Sequence, residues 1–245
     1  MISRINSAAQ IGRLNRVVRR KEAGEFSPTD IAGCKLWLDF ADADTLFTDA
    51  GSTKVTTDGD LIYQVNDKSG NGNHIHQPTA GDRPEYKTGT KNGLNSVYFS
   101  GGTEERLYNI SAFKHNFPLS FIFIFTFEGG SGANVHFDFG RNRLSPRGGY
   151  QIYSGAYLSS GGTFSGNIVS VVLDTTSQFY INGETKNSGN AGTNGANGIC
   201  IGNRYPGETS PTKGHYFEVL LYSGALSSAD RETVEAYLNN KWDIY

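Results

Sequence analysis

Long apolar runs are missing from this chain. No stretch in its 245 residues approaches the roughly 18 consecutive apolar positions of a membrane-crossing helix, which excludes such a helix. The basic N-terminus also lacks the apolar core and small-residue cleavage site of a secretory leader, because Arg13, Asn15 and Arg16 interrupt residues 11–18. No leader is expected. Methionine (1) and proline (7) are sparse beside 31 glycines, a balance that predicts many tight turns and few long helices. Cysteine is rare, with Cys34 and Cys200 alone. A bridge between them requires Cα atoms within about 7 Å; the state expected is two free, buried thiols in a protein assembled in a reducing cytoplasm. What is plentiful is core material. Apolar residues make up 37%, with 15 Phe and 13 Tyr, enough for one large all-β domain.

Acidic residues are absent from the first 21 positions, which carry six cations, whereas residues 22–245 carry 16 cations and 24 acids. A net charge of −2 therefore hides a basic arm on an acidic body. The arm (1–21) has helical spacing: Ile11, Leu14 and Val18 on one side, Arg13, Arg16 and Arg20 on another. Ile2, Ile5 and Ala9 would fall on the basic side of a continuous helix, so the arm either breaks near Gly12 or is buried on two sides. Aromatic residues are also absent from it, which weakens a nucleic-acid reading. Cations interleaved with apolar residues fit an acidic, partly apolar protein surface. Arg4, Ile11, Arg13, Leu14, Arg16, Val18, Arg19 and Arg20 are the docking candidates.

A connector (22–35), punctuated by Ser27-Pro28 and Gly33, leads to a body spanning 36–245. Strands are predicted at 35–40, 61–65, 97–99, 119–127, 135–139, 149–154, 167–174, 177–181, 198–202 and 215–222. The run 121–125 is apolar at every position, which suits a strand buried on both faces, or on one face with the arm or a neighbour on the other. Asn182-Gly183 after 177–181 predicts a type I′ hairpin. The chain ends in a predicted short helix, begun by Ser227 with Asp230 and carrying an apolar stripe of Val234, Tyr237, Leu238 and Trp242.

Four ordered segments carry a family likeness: Leu36-Trp37-Leu38-Asp39; Asn66 to Asn73; Arg83-Pro84-Glu85-Tyr86 with Val97 to Gly101; and Glu218 to Tyr222 running into Ala225-Leu226-Ser227 and Trp242. Together they resemble the concanavalin A-like, laminin-G-type jelly rolls of bacteriophage virion and bacterial surface proteins. Val65 stands where such sequences often carry Trp. The resemblance covers roughly residues 30–245 and implies an all-β antiparallel sandwich with a C-terminal helix, beside the helical arm. It further implies a non-catalytic virion protein (capsid decoration, head fibre or vertex, or tail accessory), oligomeric and assembled in the host cytoplasm. The arm would dock it on a capsid or tail subunit. The alternative it leaves is a module that binds a surface glycan or receptor.

Candidate chemistry is thin. Glucanases sharing this fold carry Glu-x-Asp-x-x-Glu, and no such segment occurs, so no catalytic residue is nominated. The nearest segment, 135–139, offers Asp138 with His136 expected on the same face. Asp67, Asn71 and Asn73 have oxygens that suit a structural calcium, and His74 and His76 sit two apart, but neither set has diagnostic spacing. No cofactor is expected, and turn residues bonding their own backbone are the plainer reading. For a glycan, the loop-borne candidates are Tyr150, Tyr153, Tyr157, Arg204 and Tyr205.

Overall fold

The computed structural model describes residues 26–130, 134–146, 149–162 and 165–245. The arm and its docking candidates lie outside that range. In chain order the first strands are β1 (Cys34–Asp39), β2 (Leu46–Phe47), β3 (Gln64–Val65), β4 (Ile75–His76), β5 (Glu85–Lys91) and β6 (Leu94–Ser100). Next come β7 (Leu107–His115), β8 (Leu119–Phe125), β9 (Gly129–Gly130), β10 (Phe137–Asp138), β11 (Arg143–Ser145) and β12 (Gln151–Tyr153). The last are β13 (Tyr157–Ser159), β14 (Asn167–Leu173), β15 (Ser177–Ile181), β16 (Glu184–Gly189), β17 (Ala196–Ile201) and β18 (Thr212–Ser223), before the helix α1 (Ser228–Trp242).

Among the described residues these strands make two nine-stranded antiparallel sheets. The first runs β16-β15-β14-β8-β18-β6-β5, with β1 and β9 also paired to β18. The second runs β13-β12-β11-β10-β17-β7-β4-β3-β2. Their facing sides enclose one apolar core, and α1 closes a second cluster on the outside of the first sheet. The chain is an antiparallel β-sandwich.

β8 explains its unbroken apolar run. Phe121, Phe123 and Phe125 point between the sheets, while Ile122 and Ile124 pack under Val234, Leu238 and Trp242 of α1. Each such side chain contributes about 1.5–3 kcal/mol by leaving water. The helix therefore covers the outer face. In β18 the register shifts between Tyr216 and Glu218. Such a bulge turns successive residues to one side, and both Phe217 and Glu218 reach Trp242.

Local signals act as predicted in two places. Asn182 and Gly183 hold φ of 50° and 78°, closing the β15–β16 hairpin with Ile181 opposite Glu184. Ser227 caps α1 by accepting the Asp230 amide at 3.1 Å. Elsewhere the strands differ. The predicted 61–65 shrinks to β3, with Leu61 making a lone bridge to Glu85. The predicted 135–139 shrinks to the two ladder residues of β10. The edge strand β16 lacks a buried face, so no apolar alternation marks it. Cys34 and Cys200 are both free.

Candidate functional site

The outer face of the second sheet is built by register. Paired Cα positions run from Gln64 through His76, Tyr108, Cys200, Asp138, Arg143 and Tyr153 to Tyr157, each on a neighbouring strand. Their neighbours along the strands, among them Phe137, Leu144, Ile152 and Leu158, point into the core. Strand alternation then turns this whole row outward.

A loop from Gly202 folds over the middle of the row. Gly202 has φ +81°, and a Cβ there would stand 2.3 Å from the Phe99 ring, so the turn requires glycine. The buried Asn203 fixes the loop: its amide nitrogen donates to Thr103 O at 2.9 Å, and its oxygen accepts from Ser210 N at 2.7 Å. The Cys200 thiol is thereby covered and donates to Arg204 O at 3.1 Å. Beside this loop lies a cleft of about 260 Å³ lined by Arg143, Tyr153, Tyr157 and Arg204, among others. A second cleft of about 330 Å³ shares Arg143 and Tyr153 and adds Arg141 and Asn194.

Planar side chains dominate here. Tyr153 and Tyr157 lie with ring centroids 4.8 Å apart, and Tyr157 is 56% exposed. The Arg143 guanidinium lies over Tyr153 at 5.0 Å. Arg204 pairs with Glu208, and its Nε stands 3.9 Å from Asp138 Oδ2. Burial raises the Asp138 pKa, against the Gly140 amide and the two guanidinium charges that lower it. Burial and the adjacent Arg143 lower the Arg204 pKa.

Of the five residues nominated for a glycan, Tyr153, Tyr157 and Arg204 meet in this cleft. Tyr150 does not. It is wholly buried, edge-on to Phe125 at 5.4 Å, because alternation puts it on the core face with Ile152. Tyr205 points back to the sheet, its hydroxyl donating to Asn197 O. Arg143 was not nominated; its signal was its alternation with Leu144. His136 does not share the face of Asp138 as expected. Its ring is in the core, Nδ1 2.8 Å from Tyr216 Oη, because it lies just before the paired residues of β10.

A larger groove of about 1140 Å³ lies on the opposite side of the molecule, beside α1, with Phe26, Trp37, Leu94 and Tyr237 on its walls. Asp39 lines it, and the cross-strand partner of Asp39 on β18, Glu218, is buried beneath. Lys241 Nζ bridges them at 2.6 and 2.7 Å, and Lys68 reaches Asp39 at 2.9 Å and Asp42 at 2.7 Å. Glu218 also accepts from the indoles of Trp37 at 2.7 Å and Trp242 at 2.8 Å. Burial opposes ionisation of Asp39, but Lys241 and Lys68 hold its pKa below the ordinary value. Burial and the Asp39 charge push Glu218 up. A glycosidase pair has to flank an accessible bond, whereas Glu218 is buried with its oxygens taken by Lys241 and two indoles. The cluster ties α1 to the sheet.

Asp67 also works inward. Its carboxylate accepts from Trp37 N at 2.9 Å, Ser69 N at 2.8 Å, Ser69 Oγ at 2.7 Å and Asn73 N at 3.0 Å. Asn71 and Asn73 donate to the carbonyls of Cys34 and Lys35. Any cation there competes with these donors. His74 accepts the Asp67 amide at 3.0 Å, and His76 stacks between Tyr63 and Tyr108.

No family model matches the chain, and no curated protein matches it. Solved structures do. Domain 4 of AbnA, a GH43 extracellular arabinanase from Geobacillus stearothermophilus, in complex with arabinotriose, is similar with a TM-score of 0.58 at 16% identity, covering 83% of this chain and 98% of that domain. A GH54 α-L-arabinofuranosidase gives 0.58 at 15% identity, covering 84% of this chain and 59% of that one. The receptor binding domain of botulinum neurotoxin D gives 0.51 at 14%, covering 86% and 53%. The likeness is one of fold. The chain spans a little over half of the latter two.

Proposed function

We propose that this chain is a non-catalytic carbohydrate-binding β-sandwich that takes a glycan on the outer face of its second sheet. The observation that carries the reading is the convergence of Tyr153, Tyr157 and Arg204 with Arg143 on one cleft of about 260 Å³. Sugars present apolar C–H faces and a fringe of hydroxyls. A site that fits them offers aromatic faces and a few fixed polar groups, which is the composition found here. The fold relative that holds arabinotriose supports the same class of ligand, and a receptor binding domain shares the sandwich. Attachment to a surface through this domain suits either a free protein or a virion component. The virion reading keeps its basis in the arm, outside the described residues.

A glycan array probed with the full chain tests the proposal. Saturable binding to at least one saccharide is expected, weakened about tenfold by Tyr153→Ala or Tyr157→Ala, the scale of one lost stacking contact. Absence of saturable binding, or tyrosine variants that bind like the parent, would remove this site.

A further inference from the structure

We infer that the glycan taken by this face carries an oxyanion, a carboxylate or a sulfate ester, and that Arg143 receives it. The inference rests on the carbohydrate reading above and narrows it to acidic saccharides. Arg143 is held flat over the Tyr153 ring at 5.0 Å, and among the described residues none of its N–H groups has a hydrogen-bond acceptor. A guanidinium offers a rigid planar fork that matches two oxygens of one oxyanion. This fork is oriented and unfilled.

The charges around it point the same way. Arg143 and Arg204 line one cleft, and like charges brought together are costly without compensation. Arg204 has Glu208 on one nitrogen, but its Nε is buried without an acceptor, since Asp138 stands 3.9 Å away. Asp138 is buried behind the loop, and both guanidiniums act on its carboxyl from beyond hydrogen-bond distance. Among the described residues Arg143 forms no salt bridge, and its cross-strand neighbour Asp138 acts on it only at longer range. A neutral sugar would meet single donors only, whereas an oxyanion would meet the planar fork of Arg143 with two oxygens.

The experiment compares matched polymers on the full chain: polygalacturonate against its methyl ester, and dextran sulfate against dextran. The charged member of at least one pair should bind about tenfold tighter or more, the scale of a charge-assisted bond, and weaken as salt is raised. Which pair responds tells carboxylate from sulfate. Arg143→Gln should cost about tenfold more on the charged polymer than on its neutral partner, collapsing the preference between them, with Arg143→Lys in between. Tyr153→Ala should weaken both. Arg143 is half-buried and has no hydrogen-bonded partner to orphan, so these variants should keep the parent's unfolding curve. Equal binding of acid and ester in both pairs, or an unaffected Arg143→Gln, overturns the inference while Tyr153-dependent binding upholds the carbohydrate reading. Binding to none of the polymers or array glycans overturns both.

Discussion

His136 shows how one side chain couples the core to pH. Its ring is fully buried against Phe125 at 4.3 Å and Phe127 at 5.1 Å, and burial lowers its pKa from 6.5 to about 3. Nδ1 meets Tyr216 Oη, while Nε2 has no partner among the described residues. Above about pH 6.5 the ring is neutral in both folded and unfolded chains, so its contribution to stability is fully present. Between about 6.5 and 3 only the unfolded chain gains the proton, and stability falls by about 1.4 kcal/mol per pH unit from this group. His136→Phe removes that loss. The variant should be about 1 kcal/mol less stable than the parent at neutral pH, having lost the Tyr216 bond. Relative to the parent it should then gain roughly 2–3 kcal/mol by pH 4.5. Urea unfolding at both values checks this, and parallel pH dependences would clear His136 of the effect. The same residue marks a limit of sequence reading. Alternation through His136-Phe137-Asp138 predicts a shared face for the outer two, but the ladder pairs only Phe137 and Asp138, and His136, held off that register by Leu144 O and Gly202 N, turns its ring inward. Tyr153 and Tyr157 were readable as surface rings. Tyr150, three positions before Tyr153 in one predicted strand, falls on the opposite face by alternation, and it is buried with Ile152.

At the scale of elements, legibility followed local chemistry. The Asn182-Gly183 turn, the Ser227 cap and the stripe of α1 are set by neighbouring residues and were readable. So was the double burial of β8, though not that α1 supplies its outer cover. The exposed edge β16, the Asp39–Glu218 pair on β1 and β18, and the Arg143–Tyr153 stack are products of long-range pairing and left no local mark. α1 is fastened by both kinds of contact. Trp242 packs against Phe217 at 5.1 Å and donates to Glu218 at 2.8 Å. Trp242→Ala should cost about 3–5 kcal/mol, from the cavity under the helix and the lost donor. Trp242→Phe keeps most of the packing and should cost about 1.5–3 kcal/mol, the value of a bond to a charged group. Equilibrium unfolding of the two variants separates packing from hydrogen bonding. A cost below about 1 kcal/mol for the alanine variant would mean that α1 is not part of the cooperative unit.

The whole molecule is asymmetric. One outer face is sealed by α1 over the Asp39–Lys241–Glu218 cluster, and the other presents the row that ends in Tyr153 and Tyr157. The division of the chain follows from the sealed side. Phe26 and Ile31 pack on the α1 cluster, and Tyr222 Oη donates to Pro28 O at 3.0 Å, so residues 26–35 are packed against the sandwich. A chain of residues 26–245 keeps these contacts and should therefore unfold in one transition and bind its glycan with unchanged affinity. A chain of residues 36–245 gives up Phe26, Ile31 and the first residues of β1. It should lose about 2–4 kcal/mol of stability through the apolar surface it uncovers on α1. Its cleft, on the far sheet, should still bind wherever it remains folded. Urea unfolding and glycan titration of the two truncations decide the matter. If residues 26–245 lost glycan affinity, the arm would have to belong to the binding site, and the outer-face cleft would not suffice.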